Sequence, residues 1–450
     1  MRNPIVNILL LACLGALASN FSSAQTKTEA SANDASSHAS QHRGDRLKMV
    51  VILSRHGVRS PTWTLDRLNA YSAQPWPQWS VPPGDLTRRG FQLMKQFGSY
   101  DRATLAETNL FTASGCENAS KTYIWADTDQ RTLESGRALA EGLFPNCPPA
   151  IHSLAPAKND PLFHPHSNGM SAMHSDAALV PSDATAKREQ DSQQDELLSE
   201  MQHVLRGCDA KIACTPTQTP AIPLLGAAAP IARDKKDQMS EAQDSLGLAS
   251  SFAEDFLLEY AEGMPMDQVG WGKVDEVQLR SFLALHTANF ARTHGTQERA
   301  KAEASTMLFH ITRTLQQGAE RHSVAGAIGP ANSKLVLLVG HDTNLAGVAA
   351  LLGLHWTLDG REDDTPPGTE LAFELWQNVH GAYSVRVTVA MQTLRQMREM
   401  QAITAATPPA QKTLTLSGCD VDKPICEWKT FLKIADHAVD KSSVLSASAN

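Results

Sequence analysis

A chain of 450 residues with 42% hydrophobic content can bury one large core, or two smaller ones sharing a cleft. Its formal charge of -8 excludes the broadly basic surface that nucleic acid or an anionic membrane demands. Any anion site must therefore be assembled locally from arginines against an unfavourable background.

The amino terminus reads as a secretory leader over residues 1–24. Arg2 starts it, Ile5 to Leu17 form its apolar stretch, and Ser22-Ser23-Ala24 is the favoured cleavage site over Ala16-Leu17-Ala18. The apolar run falls short of the ~20 residues a membrane span needs. Cys13, after Leu10-Leu11-Ala12, is the weaker option of a lipoprotein site. Residues 25–45 are polar and small, the composition of a disordered spacer. The expected location is the periplasm or outside the cell.

From Leu47 an apolar run to Leu53 predicts a buried strand that delivers Ser54-Arg55-His56-Gly57-Val58-Arg59-Ser60-Pro61-Thr62. A loop rich in Pro and Trp follows, in which Trp76 and Trp79 are assigned to packing. Phe91, Met94 and Phe97 predict a helix, Lys121 to Ala126 a strand, and the stretch after Arg131 a second helix ending near Gly142. Together 46–174 form the first part of an α/β domain. Residues 175–320 read as a mainly helical inserted domain, from periodicity at Leu197, Met201, Val204 and Leu205 and again from Leu246 and Leu279. The α/β domain resumes over 321–437. There Lys334 to Val339 predicts a buried strand before Gly340-His341-Asp342-Thr343-Asn344, and Glu370 to Gln377 and Tyr383 to Met391 alternate like strands. The tail, 438–450, is expected to fray. The fold class is thus α/β, with a mixed, mainly parallel sheet flanked by helices and a smaller helical insertion.

Apart from Cys13 the cysteines fall as local couples: Cys116 with Cys147, Cys208 with Cys214, and Cys419 with Cys426. Many connectivities are possible, and pairing by proximity is the economical one in an oxidising compartment. A zinc site would want tighter spacing and nearby histidines. His164-Pro165-His166 with His174 hints at metal, but no carboxylate or cysteine falls at ligand spacing, so a loop is the preferred reading. No metal and no cofactor are expected.

Three predicted strands each end in groups suited to phosphate: Arg55, His56 and Arg59; Arg131; His341 and Asp342. In open α/β sheets the carboxyl ends of strands are where ligands bind. Arginine forks satisfy two phosphate oxygens at once, and fixed guanidinium groups stabilise charge spreading over the equatorial oxygens. Held neutral by that positive field, His56 can attack phosphorus to give a phosphohistidine. Asp342 can protonate the departing oxygen. It must be protonated when substrate binds, so the pocket is expected to raise it above the ~3.9 of a free aspartate.

Arg-His-Gly-Val-Arg-Ser-Pro-Thr with a distal Gly-His-Asp-Thr-Asn resembles the histidine acid phosphatase family, closest to the exported bacterial phytases and glucose-1-phosphatases. The similarity runs over about 47–435 and includes Leu86 to Gly90, Ala126 to Thr132, Asp160 to Phe163 and Glu262 to Gly272. The resemblance implies His56 as nucleophile and Asp342 as proton donor. It implies Arg55, Arg59, Arg131 and His341 as phosphate clamp, with Thr62, Asp127, Thr343 and His286 lining the pocket. It further implies a monomeric acid phosphatase for small phosphate monoesters such as phytate and other organic phosphates. Trp63 stands where family phytases often carry lysine, so phytate preference does not follow from the motif. Glu262 to Gln268 leans towards the glucose-1-phosphatase branch. From another class, a non-catalytic periplasmic protein that binds phosphate esters would need the clamp but not the nucleophile and donor.

Overall fold

The computed structural model describes residues 44–156, 158–165, 184–211, 222–225, 244–420 and 424–445. The expected leader, and the spacer except its last two residues, lie outside them.

Four strands form a parallel block: β1 (Arg46–Arg55), β2 (Thr122–Ala126), β3 (Ile151–His152) and β4 (Leu335–Gly340), ordered β3-β2-β4-β1. After a separate small hairpin of β5 (Thr357–Leu358) and β6 (Arg361–Glu362), the sheet continues antiparallel beyond β1. That side holds β7 (Glu370–Gln377), β8 (Tyr383–Met391), β9 (Ala410–Leu414) and β10 (Cys426–Glu427). The expected mixed α/β sheet is therefore present. Its two alternating runs became β7 and β8, within the bounds the sequence suggested.

The helices are α1 (Leu65–Asn69), α2 (Arg88–Glu107), α3 (Gln130–Leu143), α4 (Ala184–Leu205), α5 (Ser245–Glu262), α6 (Glu276–Thr293), α7 (Gln297–Glu320), α8 (Asp342–Leu352), α9 (Leu394–Glu399) and α10 (Trp428–Ala438). Because β1 and β4 are covered on both faces, their side chains read as an unbroken apolar run rather than an alternation. Val51, Leu53, Val336 and Leu338 face Met307, Leu308 and Ile311 of α7 and Leu345 and Val348 of α8. Val50, Ile52, Leu335 and Leu337 face Met94 and Phe97 of α2 and Leu139 and Leu143 of α3. A third core joins α4, α5, α6 and α9, with Leu68, Tyr71 and Trp76 from the loop after β1. Trp76 stacks on Phe252 and Phe256, in keeping with a packing role.

Helix α7 packs on β1 and α8. Its apolar stripe announces a buried face without announcing the partner. A short turn at Lys441–Ser443 follows α10. Thr306 Oγ1 donates to the Ser443 carbonyl, the Leu445 amide donates to Thr306 Oγ1, and His310 Nε2 lies 3.0 Å from the Leu445 carbonyl. Backbone groups make these ties, so the tail's side-chain composition gives no sign of them.

Cys116–Cys147 and Cys419–Cys426 are disulfides. Cys208 is disulfide-bonded, while Cys214 lies outside the described residues.

The α2–α3 contact depends on glycine. A Cβ on Gly142 would stand 2.1 Å from the Lys95 carbonyl oxygen, and one on Gly98 would stand 2.3 Å from that of Leu139. Backbone cannot yield as a side chain can, so Gly142→Ala should cost about 1–3 kcal/mol in urea unfolding, the usual range for overpacking. An unchanged midpoint would show that the helices separate freely.

Asp101 of α2 and Glu370 of β7 are buried, and each has one carboxyl oxygen without a hydrogen-bond partner among the described residues. Burial pushes Asp101 up to about 7; burial and the neighbouring Asp101 carry Glu370 well above its ordinary value. A raised carboxyl keeps its proton in the native state where the unfolded chain has lost it. Stability therefore falls as pH rises from the unfolded value near 4 towards 7. Asp101→Asn should remove part of that slope, worth about 3 kcal/mol between pH 5 and pH 8 at 1.36 kcal/mol per unit. Urea midpoints at the two pH values check it, and an equally steep wild-type and variant slope would contradict it.

Candidate active site

The carboxyl ends of three adjacent parallel strands build the site. Arg55 lies opposite Gly340, and Ala126 opposite Val339. The His56 amide donates to the Gly340 carbonyl at 3.0 Å, and the Asp127 amide to that of Val339 at 3.0 Å. The sheet's own ladder thus carries His56, Asp127 and His341 to one edge. Gly57 and Gly90 let the loop after β1 press against α2: a Cβ on Gly90 would lie 2.0 Å from the Val58 carbonyl oxygen. Arg131 enters from the first turn of α3.

His56 is buried, with Nδ1 2.9 Å from the Gly57 carbonyl. A carbonyl only accepts, so Nδ1 holds the proton and Nε2 keeps its lone pair. Burial, and then the charges of Arg131, Arg55 and Arg59, hold the imidazole well below its ordinary range. That direction favours the neutral ring. The His56 and His341 rings meet edge to face with centroids 5.6 Å apart.

Arg55 is 1% exposed and is held by the Thr365 carbonyl at 2.6 Å, by Asp342 Oδ2 at 2.7 Å and by Glu254. Arg59 reaches the other oxygen of Glu254 at 2.8 Å. One carboxylate from α5 therefore bridges two clamp arginines. Burial alone would raise Glu254, but Arg59 and Arg55 outweigh it and hold it far below the ordinary carboxylate range.

The expectation that the pocket raises Asp342 is corrected for the free protein. Burial pushes this carboxyl up, yet Arg55 at 2.7 Å outweighs burial and the net shift is downward. His286 and His341 add to the lowering, and Glu254 opposes it.

The remaining expected residues divide into several roles. Asp127 is buried and accepts from His341 Nε2 at 2.7 Å and from His164 Nε2 at 2.7 Å, bracing the His341 ring. His341 Nδ1 lies 3.5 Å from Arg131 Nη2. Arg131 pairs with Asp129 at 2.6 Å. His286 is buried on α6 with Nδ1 3.0 Å from Ser250 Oγ, close enough for its charge to act on Glu254 and Asp342. Thr343 donates its amide to Asp342 Oδ1 at 2.8 Å in the first turn of α8. Thr62 is exposed beside Arg131: a Cβ on Gly84 between them would lie 3.6 Å from each. Trp63 turns towards the helical layer, against Tyr71 and Phe252, with the Arg67 guanidinium 3.5 Å over its ring.

Glu254, Asn344 and His164 were not singled out for the site. Glu254 follows an apolar helical stretch and carries no motif. Asn344 lay inside the quoted run; its Oδ1 accepts from the His341 amide at 2.9 Å and its amide donates to the Phe163 carbonyl. His164 was judged by neighbours in sequence, whereas its carboxylate comes from β2.

The histidine phosphatase superfamily (branch 2) matches residues 46–390. Phytase AppA of Escherichia coli K12 is 34% identical over 404 residues, covering 87% of this chain and 92% of that protein. A glucose-1-phosphatase of Salmonella typhimurium is 28% identical over 386 residues, covering 84% and 89%. The apo phytase of Hafnia alvei superposes with a TM-score of 0.76 at 31% identity, over 90% of this chain and 99% of that one. The chain belongs to the histidine phosphatase superfamily, branch 2, and is a phosphoric monoester hydrolase.

Glu254 occupies guanidinium groups that a phosphate would need. Glu254→Gln should therefore tighten inorganic phosphate binding by about tenfold, the scale of one charge-assisted hydrogen bond. Its inhibition constant against p-nitrophenyl phosphate reads this. Unchanged or weaker phosphate binding would mean that the bridge does not compete with the ligand.

Proposed function

We propose that this member of the histidine phosphatase superfamily is an exported acid phosphatase that hydrolyses phytate or other small organic phosphates through a phosphohistidine on His56. The observation that carries the reading is the state of His56: a neutral imidazole with its Nε2 lone pair free, under the positive charge of Arg55, Arg59 and Arg131.

The ester phosphate displaces Glu254 and settles on the arginines. Nε2 of His56 attacks phosphorus as the bond to the alkoxide oxygen breaks, and Asp342 gives that oxygen its proton. Water then attacks the phosphohistidine, Asp342 recovers a proton, and inorganic phosphate leaves. Asp342 is ionised while Arg55 is shared between it and Glu254. Phosphate takes the place of Glu254 with closer to two negative charges than one, and that added charge beside the carboxyl raises its affinity for a proton. Two disulfides and the leader-like amino terminus support export to an oxidising compartment. The Hafnia alvei phytase has been solved with myo-inositol hexakis sulphate, which supports trying inositol phosphates first.

Phosphate release from phytate, glucose 1-phosphate and p-nitrophenyl phosphate across pH 2.5 to 8 tests the proposal, with His56→Ala as control; these are assay settings of about the width a carboxyl titration needs. Residual wild-type rates in His56→Ala would overturn it. Faster release from glucose 1-phosphate than from phytate would assign the chain to the other branch.

Asp342→Asn separates the donor's role from binding. An alkoxide needs a proton and p-nitrophenolate scarcely does, so the variant should lose about 10²–10⁴-fold on glycerol 2-phosphate and far less on p-nitrophenyl phosphate. Because the protonated carboxyl is the active form, wild-type turnover of the alkyl ester should fall as pH rises while His56 remains neutral. Equal losses on both substrates would remove Asp342 from the acid role.

A further inference from the structure

His164, Asp127 and His341 make a cluster at the wall of the phosphate pocket that hydrolysis does not fully use. His164 Nε2 and His341 Nε2 each lie 2.7 Å from the same oxygen, Asp127 Oδ2. One potential ligand atom from each residue lies within 4.8 Å of the others. The two rings are 5.1 Å apart. Among the described residues, Asp127 Oδ1 is buried with no hydrogen-bond partner, and the residue is 1% exposed. A brace for His341 needs only one carboxylate oxygen and one imidazole. Here a second imidazole is added, and the second oxygen is held out of water without a donor.

Two imidazoles and a carboxylate gathered this closely are the donor set of open zinc sites, and imidazole also suits copper(II). The geometry points to a site for one divalent ion, Zn²⁺ or Cu²⁺, held by His164 Nε2, His341 Nε2 and Asp127. Tetrahedral bonds of ~2.0–2.1 Å need ligand atoms about 3.3 Å apart, so each nitrogen must draw back by roughly half an ångström from its present hydrogen bond. His164 can do so: its side chain is 39% exposed and it lies between α3 and α4, outside any strand or helix. The ion takes the Nε2 lone pairs, so the protons that Asp127 now accepts pass to Nδ1 of each ring, and the His341 Nδ1 contact with Arg131 opens. Arg131 opposes the added charge, while Asp129, 3.6 Å from His341 Nε2, favours it. A fourth position remains for water or an anion's oxygen. The competing account is a hydrogen-bonded His–Asp–His brace that binds no ion.

Calorimetric titration of the chelator-stripped full-length mature protein with Zn²⁺ at neutral pH decides between them, and it is independent of phosphate release. The wild type should take up one tight equivalent. His164→Asn keeps an amide donor for Asp127 but has no imidazole, and should weaken that equivalent by about tenfold or more. Cu²⁺ should show coupling to two imidazole nitrogens by electron paramagnetic resonance in the wild type and to one in the variant. If circular dichroism shows that His164→Asn does not fold, His164→Gln serves instead. No tight equivalent in the wild type, or the same equivalent in wild type and folded variant, overturns the inference.

Discussion

Everything at this site depends on keeping guanidinium groups out of water before a ligand arrives. Arg55 is 1% exposed and Arg59 6% exposed, and an unpaired charge at that depth would cost several kcal/mol. Glu254 and Asp342 supply the missing charge, and the Thr365 carbonyl takes one more donor. The helical layer is therefore not only a lid. Through Glu254 on α5 it closes the electrostatics of residues that the sheet presents. Phosphate replaces one set of oxygens with another, so the arginines are preorganised without being frustrated in the free protein.

The strand ends were readable because their signals are local. A continuous apolar run followed by a charged histidine segment marks both β1 and β4, and their parallel pairing brings Arg55 opposite Gly340. Asp127 could be placed by the same logic at the end of β2. What stayed hidden are interactions whose two halves lie far apart in sequence. Glu254 sits on a helix buried nearly all round, 199 positions from Arg55. His164 meets a carboxylate 37 positions earlier, so searching for ligands at short spacing could not find the pair. The reach of the helical insertion is hard to read from sequence for a related reason. The apolar stripe of α7 is the same whether it faces the sheet or other helices, and only its register with Val51 and Leu53 decides.

Asp342 shows a subtler limit. The expectation of a raised carboxyl came from burial and from its role, and burial does act in that direction. The deciding factor is the partner already in contact, Arg55, which pulls the proton affinity down. On the proposed mechanism Asp342 would gain its proton with substrate rather than in advance. A carboxylate that stays ionised until the dianion arrives leaves Arg55 its counter-charge in the free protein, and this would tie protonation to ligand binding rather than to the free protein's titration.

Helix α5 makes the same point within two residues. Glu254 is driven far down by Arg59 and Arg55, while Asp255 next to it and Glu259 one turn on are driven well up, because burial dominates where no guanidinium is close enough to outweigh it. Glu259 still accepts from the Gly270 amide through one oxygen, and its other oxygen has no partner among the described residues. The helix therefore carries an anion towards the sheet and neutral acids into its own core. With Asp101 and Glu370 added, the native state holds protons in acid that it must surrender as pH rises. A fold that keeps its protons in this way and the proposed protonation of Asp342 would favour the same side of neutrality. They reach it through separate residues, so stability and turnover can be shifted along the pH axis independently.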